Sequence, residues 1–148
     1  MPRRVDIDWQ QLEDVFTFQP VGAQAFLDLR TGKVISWSDD TMDTVELEGV
    51  ADEIDQDPDR YVEIVVPESH ESFEWMADFV RAVEPGALHD ELARALDARR
   101  PFRRFKDVLE GAPAARDRWF AFELARQRQA LRDWVEGEDL EPVTPPPW

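Results

Sequence analysis

Cysteine is absent from this 148-residue chain. That excludes disulfide staples, cysteine-ligated zinc or iron–sulfur centres, and thiol catalysis. Histidine occurs only as His70 and His89, too few for a multi-histidine metal site. The six glycines are spaced at least ten residues apart, so they cannot form a glycine-rich phosphate cradle. No apolar run approaches the roughly 18 residues of a membrane span. Residues 1–4 (Met-Pro-Arg-Arg) lead straight into a polar segment, so neither a span nor a signal peptide is expected. The expectation is a soluble cytoplasmic protein that needs no metal or other cofactor.

What the chain does contain is acid. Its 33 acidic and 17 basic side chains give a formal net charge of −16, which disfavours nonspecific contact with nucleic acid or anionic membrane by the molecule as a whole. Hydrophobic residues make up 43% of the sequence and aromatics 11%, enough for a folded core despite the charge. The charge is also divided. Residues 1–93 hold 6 basic and 23 acidic groups, residues 94–132 hold 11 and 5, and residues 133–148 hold 5 acids and no base. Between residues 39 and 59 ten positions are acidic and none is basic: Asp39, Asp40, Asp43, Glu46, Glu48, Asp52, Glu53, Asp55, Asp57 and Asp59. The opposite extreme is Arg99, Arg100, Arg103, Arg104 and Lys106, five cations in eight residues. Asymmetry of this size says more about partners than the net value does.

The local patterns predict a mixed fold. Asp8, as N-cap with Gln11 three residues on, opens a short helix carrying Trp9, Leu12, Val15 and Phe16, which Pro20 and Gly22 end. Residues 25–29 and 33–37 read as a hairpin turning at Gly32, and 61–66 as a third strand stopped by Pro67. Ten like charges make 39–59 a solvated loop or frayed helix. Four helices then follow, the first capped by Ser69, the second marked by Leu88, Leu92 and Leu96. The third starts at Pro101, and the longest runs over about 114–134. The architecture expected is α+β, a small antiparallel sheet (hairpin plus one strand) followed by a four-helix C-terminal half. It forms a single domain over 5–136, with an acidic, proline-rich disordered tail over 137–148.

No catalytic constellation emerges. Asp55, Asp57 and Asp59 have the spacing that begins a calcium loop, but its glycine and bidentate glutamate positions hold Arg60 and Val66. Ser69, His70 and Glu71 are neighbours at one helix start and point apart, where a catalytic triad needs groups converging from separate elements. His89-Asp90 lacks a second histidine-rich segment. The cationic cluster is harder to explain. Arginines at a helix N-terminus oppose the macrodipole, and Arg116 and Arg118 repeat the arrangement at the next helix start. Either internal or dimer salt bridges compensate them, or an external anion does. Phe102 and Phe105, like Trp119, Phe120 and Phe122, stand at core spacing and read as buried anchors.

Four segments carry a resemblance to a known family: Phe26 to Val34, Asp57 to Val62, Phe102 to Leu109, and Trp119-Phe-x-Phe followed by Trp134. Together they resemble the bacterial uncharacterised protein family 0158, over about residues 5–135. The Phe102-Arg-Arg-Phe-Lys-Asp107 piece is the most specific. The resemblance implies a cytoplasmic bacterial single domain and supplies no catalytic residue. The 15 arginines against two lysines, with no asparagine, fit a gene of high G+C content. Two functions are expected in turn. One is a non-enzymatic acidic interaction or regulatory protein, binding a basic protein surface through 39–59, with self-association as a homodimer a further option. The other is phosphate, nucleotide or RNA binding through Arg99, Arg100, Arg103, Arg104, Lys106, Arg116 and Arg118, the one place where nucleic acid would be met.

Overall fold

A computed structural model describes residues 2–18, 23–37 and 44–148, with backbone alone for 44–47. The elements in chain order are β1 (Arg3–Val5), α1 (Trp9–Thr17), β2 (Gln24–Asp28), β3 (Val34–Trp37), α2 (Thr44–Gln56) and β4 (Tyr61–Glu63). They continue with α3 (Ser69–Ala82), α4 (Ala87–Asp97), α5 (Pro101–Glu110), α6 (Pro113–Gly137) and β5 (Leu140–Pro142). The α+β class is as the sequence predicts, and α2 is one helix more than expected among the described residues. The chain forms two compact units, Met1–Val66 with Arg128–Trp148, and Pro67–Gln127. The boundary falls inside α6, where no shift in composition marks it.

The first unit is built on the hairpin. β2 lies between β3 and β4 and runs antiparallel to both, with Phe26 opposite Ile35 on one side and Glu63 on the other. Ala25 and Leu27 point to the core, as the period of two requires. The turn glycine has a second constraint besides its φ of +75°. An added Cβ on Gly32 would stand 1.6 Å from the backbone oxygen of Asp6. The Gly32 carbonyl also accepts from the Asp8 N–H at 2.8 Å. Glycine is therefore what lets the hairpin tip press against the chain entering α1.

Asp8 caps α1 as predicted, accepting from the Gln11 N–H at 3.1 Å. Gln11 does not complete the reciprocal box. Its side-chain oxygen instead accepts from the Val34 N–H at 3.0 Å, on the outer edge of β3. The helix ends at Thr17, and Pro20 and Gly22 lie outside the described residues. Trp9, Leu12, Val15 and Phe16 are all buried, in a core shared with Leu27, Val62, Ile64, Leu131, Trp134 and Leu140.

Three sequence expectations change in this unit. The acidic segment is helical over 44–56, with Val50, Ala51 and Ile54 half-buried. These three apolar residues share one side of the helix, while Glu48, Asp52, Glu53 and Asp55 are exposed elsewhere on it. The third strand stops at Glu63 rather than Val66, although Ile64 still donates to the Ala25 carbonyl at 2.9 Å. The segment 137–148, expected as a disordered tail, holds the end of α6 and β5. β5 pairs in parallel with β1, Arg3 opposite Leu140 and Val5 opposite Pro142. Beyond it, Trp9 Nε1 donates to the Thr144 carbonyl at 2.9 Å, and Trp148 meets Trp9 edge-on at 5.9 Å, with the Arg128 guanidinium 4.7 Å from its ring centre. Proline loses little freedom on ordering, so a single aromatic anchor can fasten such a segment.

The second unit is helical. Phe79, Phe105 and Trp119 meet edge-on at its centre, with centroids 5.0–6.3 Å apart, a geometry that aligns ring edges with ring faces. Leu92 and Leu109 close around them, while Leu88 and Leu96 pack half-buried at the edge. The N-cap of α3 is Glu68 rather than Ser69, and Glu71 reaches back to accept from the Glu68 N–H at 3.2 Å. Pro101 takes the first position of α5 as predicted. The aromatic assignments are corrected in part. Phe105 and Trp119 are buried and Phe122 half-buried, but Phe102 keeps 39% of its surface exposed and Phe120 55%. Each lies at the margin of its helix's buried stripe, where one step around the helix decides between core and solvent.

Candidate functional site

The acidic candidates occupy the first unit. Asp39, Asp40 and Asp43 lie outside the described residues, as does the side chain of Glu46. Glu48, Asp52, Glu53 and Asp55 project from α2, Asp57 and Asp59 from the turn after it, and all six are exposed. None forms an ion pair among the described residues. The last turn of α2 carries no base, so its carboxylates add to the negative end of the helix dipole. The calcium-loop spacing has another use: Arg60 N–H donates to the Asp57 carbonyl at 3.1 Å, turning the chain into β4.

That turn delivers Arg60 to a group the sequence reading missed. Asp28, at the end of β2, is 4% exposed. It accepts from Arg60 Nε at 3.0 Å, from Arg60 Nη2 at 2.8 Å and from the Arg30 N–H at 2.9 Å. The arginine fork is the main reason the carboxyl pKa falls from 3.8 to about 2, against the opposing effect of burial. Arg60 is in turn held more firmly protonated, and its guanidinium lies 5.1 Å from the Tyr61 ring centre. Burial pushes the Tyr61 hydroxyl up. By the period of two Asp28 falls on the opposite face from Ala25 and Leu27, so alternation gave no sign of its burial. Asp28 and Arg60 satisfy one another, so the pair clamps the hairpin to β4.

The basic candidates lie in the second unit, and all seven are exposed. Arg99, Arg100, Arg103 and Arg104 line one cleft of ≈ 440 Å³ together with Asp107. A second cleft of ≈ 560 Å³ shares Arg104 and Asp107 and is completed by Glu91, Arg94, Ala95, Ala98 and Val108. Lys106, Arg116 and Arg118 line neither. Arg116 instead stands over Phe120, 6.0 Å from the ring centre. Arg100, the N-cap of α5, holds a left-handed conformation with φ 54° and ψ 59°, which costs an L-residue roughly 1–2 kcal/mol. Among the described residues, none of the seven forms an ion pair, although Arg60, Arg81, Arg126 and Arg128 all do. Arg103 and Asp107, one helical turn apart, face the same cleft without pairing. The internal salt bridges weighed for this cluster are therefore not found among the described residues.

The remaining constellations stay apart. His70 Nδ1 approaches Glu68 at 3.2 Å and His89 Nδ1 approaches Asp90 at 3.2 Å, each with a sequence neighbour on the surface. Among the described residues no three metal-ligating side chains gather. Glu123, on α6, is partly desolvated, which raises its pKa against the pull of Lys106.

Residues 3–145, which contain both charged regions, match the model of an uncharacterised protein family, UPF0158. The chain belongs to that family. A UPF0158 protein of Pseudomonas aeruginosa is 32% identical over 142 residues, covering 96% of this chain and 88% of the relative. No solved structure matches the chain. Family membership agrees with the resemblance carried by Phe26 to Val34 and Phe102 to Leu109, and a bacterial relative is established. No helix among the described residues is long and apolar enough to cross a membrane.

Proposed function

We propose that this chain is a non-enzymatic interaction or regulatory protein of the bacterial cytoplasm, whose acidic face takes a basic protein surface. The observation that carries this reading is the exposure of Glu48, Asp52, Glu53, Asp55, Asp57 and Asp59 on one helix and its following turn, with no ion pair among the described residues. Six unpaired carboxylates on one helix and the turn after it repel one another, Glu53, Asp55 and Asp57 doing so at the negative end of the helix dipole, and a cationic partner relieves that repulsion. Such a surface also accelerates encounter at low salt and rejects acidic competitors.

The test is affinity capture from source-cell lysate, with and without nuclease, read by mass spectrometry. The bait is the natural chain or a variant in which those six acids become Gln or Asn. All six positions are exposed, and circular dichroism checks that the fold is kept. The natural chain is expected to retain a nuclease-resistant basic protein that the neutralised variant loses. Equal capture by both baits refutes the reading.

A further inference from the structure

The arginine cleft of the second unit is a separate matter from the acidic face. In a chain with 33 acidic side chains, Arg99, Arg100, Arg103 and Arg104 have no carboxylate within 4.0 Å among the described residues. Nor does any of the four form a side-chain hydrogen bond or ring contact there. Yet they converge on one cleft, with Asp107 as the single acid in its lining. Four cations beside one another raise each other's free energy unless an anion joins them. Guanidinium forks are moreover matched to phosphate oxygens, which they hold through two parallel hydrogen bonds.

We infer that this cleft binds a compact phosphorylated small molecule, whose phosphate oxygens the arginine forks hold. Its ≈ 440 Å³ lies within the range of small-molecule sites, about 300–1,000 Å³. The charge distribution favours a compact ligand over a polymer. The unit Pro67–Gln127 contains 10 basic and 12 acidic side chains, so it is close to neutral, and the rest of the −16 lies elsewhere. A small anion is governed by charges within a Debye length, about 8–10 Å at ordinary salt. A long polyanion meets the net charge of the whole chain.

Calorimetric titration of the full chain with ADP, pyrophosphate, adenosine and an oligouridylate tests this. ADP and pyrophosphate are expected to bind, and adenosine is not. The double variant Arg103→Gln, Arg104→Gln, at two exposed positions, should weaken ADP by at least about tenfold. The natural chain alone provides a measurement independent of any variant: affinity should fall as sodium chloride is raised. Absence of ADP and pyrophosphate binding overturns the inference, as does equal affinity in the double variant. Tighter binding of the oligouridylate than of ADP overturns the ligand class in favour of nucleic acid.

Discussion

Replacing Asp28 by asparagine removes one charge from the clamp between the hairpin and β4 while leaving its shape nearly unchanged. The buried carboxylate accepts from both nitrogens of the Arg60 fork and from the Arg30 N–H. Its pKa is lowered from 3.8 to about 2. At about 1.4 kcal/mol per pH unit this corresponds to roughly 2 kcal/mol of folding stability carried by the ionised form. Asp28 is 4% exposed but the Arg60 side chain keeps 26% of its surface, so solvent screening makes that figure an upper value. Its sign follows from linkage. A depressed carboxyl pKa contributes in full above the unfolded value of 3.8, and the contribution is lost as pH falls towards 2. Asp28→Asn should therefore cost up to about 2 kcal/mol at pH 7, and this difference should shrink steadily between pH 4 and pH 2. A residual, pH-independent cost remains, because the new amide turns a donor towards the guanidinium. Urea unfolding followed by tryptophan fluorescence at several pH values measures both parts, and taking the difference between the two proteins cancels the other carboxylates. A difference that stays constant from pH 7 to pH 2.5 refutes the assignment. As a direct check, carboxyl NMR should show the Asp28 pKa returning towards its ordinary value in Arg60→Gln.

Two further effects follow from single positions. Gly32→Ala must place a Cβ 1.6 Å from the Asp6 carbonyl oxygen at a φ of +75°, and should lower stability by about 2 kcal/mol or more. Gly49→Ala, within α2 with nothing inside 4 Å of the new methyl, should instead raise stability by about 0.5–1 kcal/mol. Thermal unfolding distinguishes them, and a neutral Gly32→Ala contradicts the close approach of the turn to the chain entering α1. Glu123→Gln should stabilise the protein at pH 7, because desolvation raises the carboxyl pKa and disfavours its ionised form in the fold. That advantage should disappear below the ordinary glutamate pKa, where the natural side chain is protonated in both states. An advantage unchanged at low pH would show that the gain comes from packing alone.

Much of the fold was legible because its signals are local. The Gly32 turn between two alternating segments, Asp8 before an apolar face, and Pro101 at a helix start each act within a few residues. The helix over 44–56 was obscured because like charges mask a narrow apolar edge at Val50, Ala51 and Ile54. β1 and β5 carry no readable pattern of their own. Three residues each, they become strands by pairing across the length of the chain. Trp148 likewise falls in the acidic, proline-rich tail of the sequence, and contacts with Trp9, Arg128 and Arg132, all remote from that pattern, give it an anchorage. For the candidate site, the sequence located both charge clusters but not their partners.

Composition and order along the chain were enough to establish the α+β class, the family and the separation of charge. They required no knowledge of what touches what, since periodicity, capping and charge density are properties of neighbouring residues. Tertiary structure decided which ions are used internally. Asp28 and Arg60, 32 positions apart, satisfy one another in a clamp, while Arg99, Arg100, Arg103 and Arg104 are gathered at a cleft without a counter-ion among the described residues. That distinction depends on distances of about 3 Å between groups remote in sequence, and at that range Coulomb energy and hydrogen-bond geometry change steeply. No count of charges along a chain contains it.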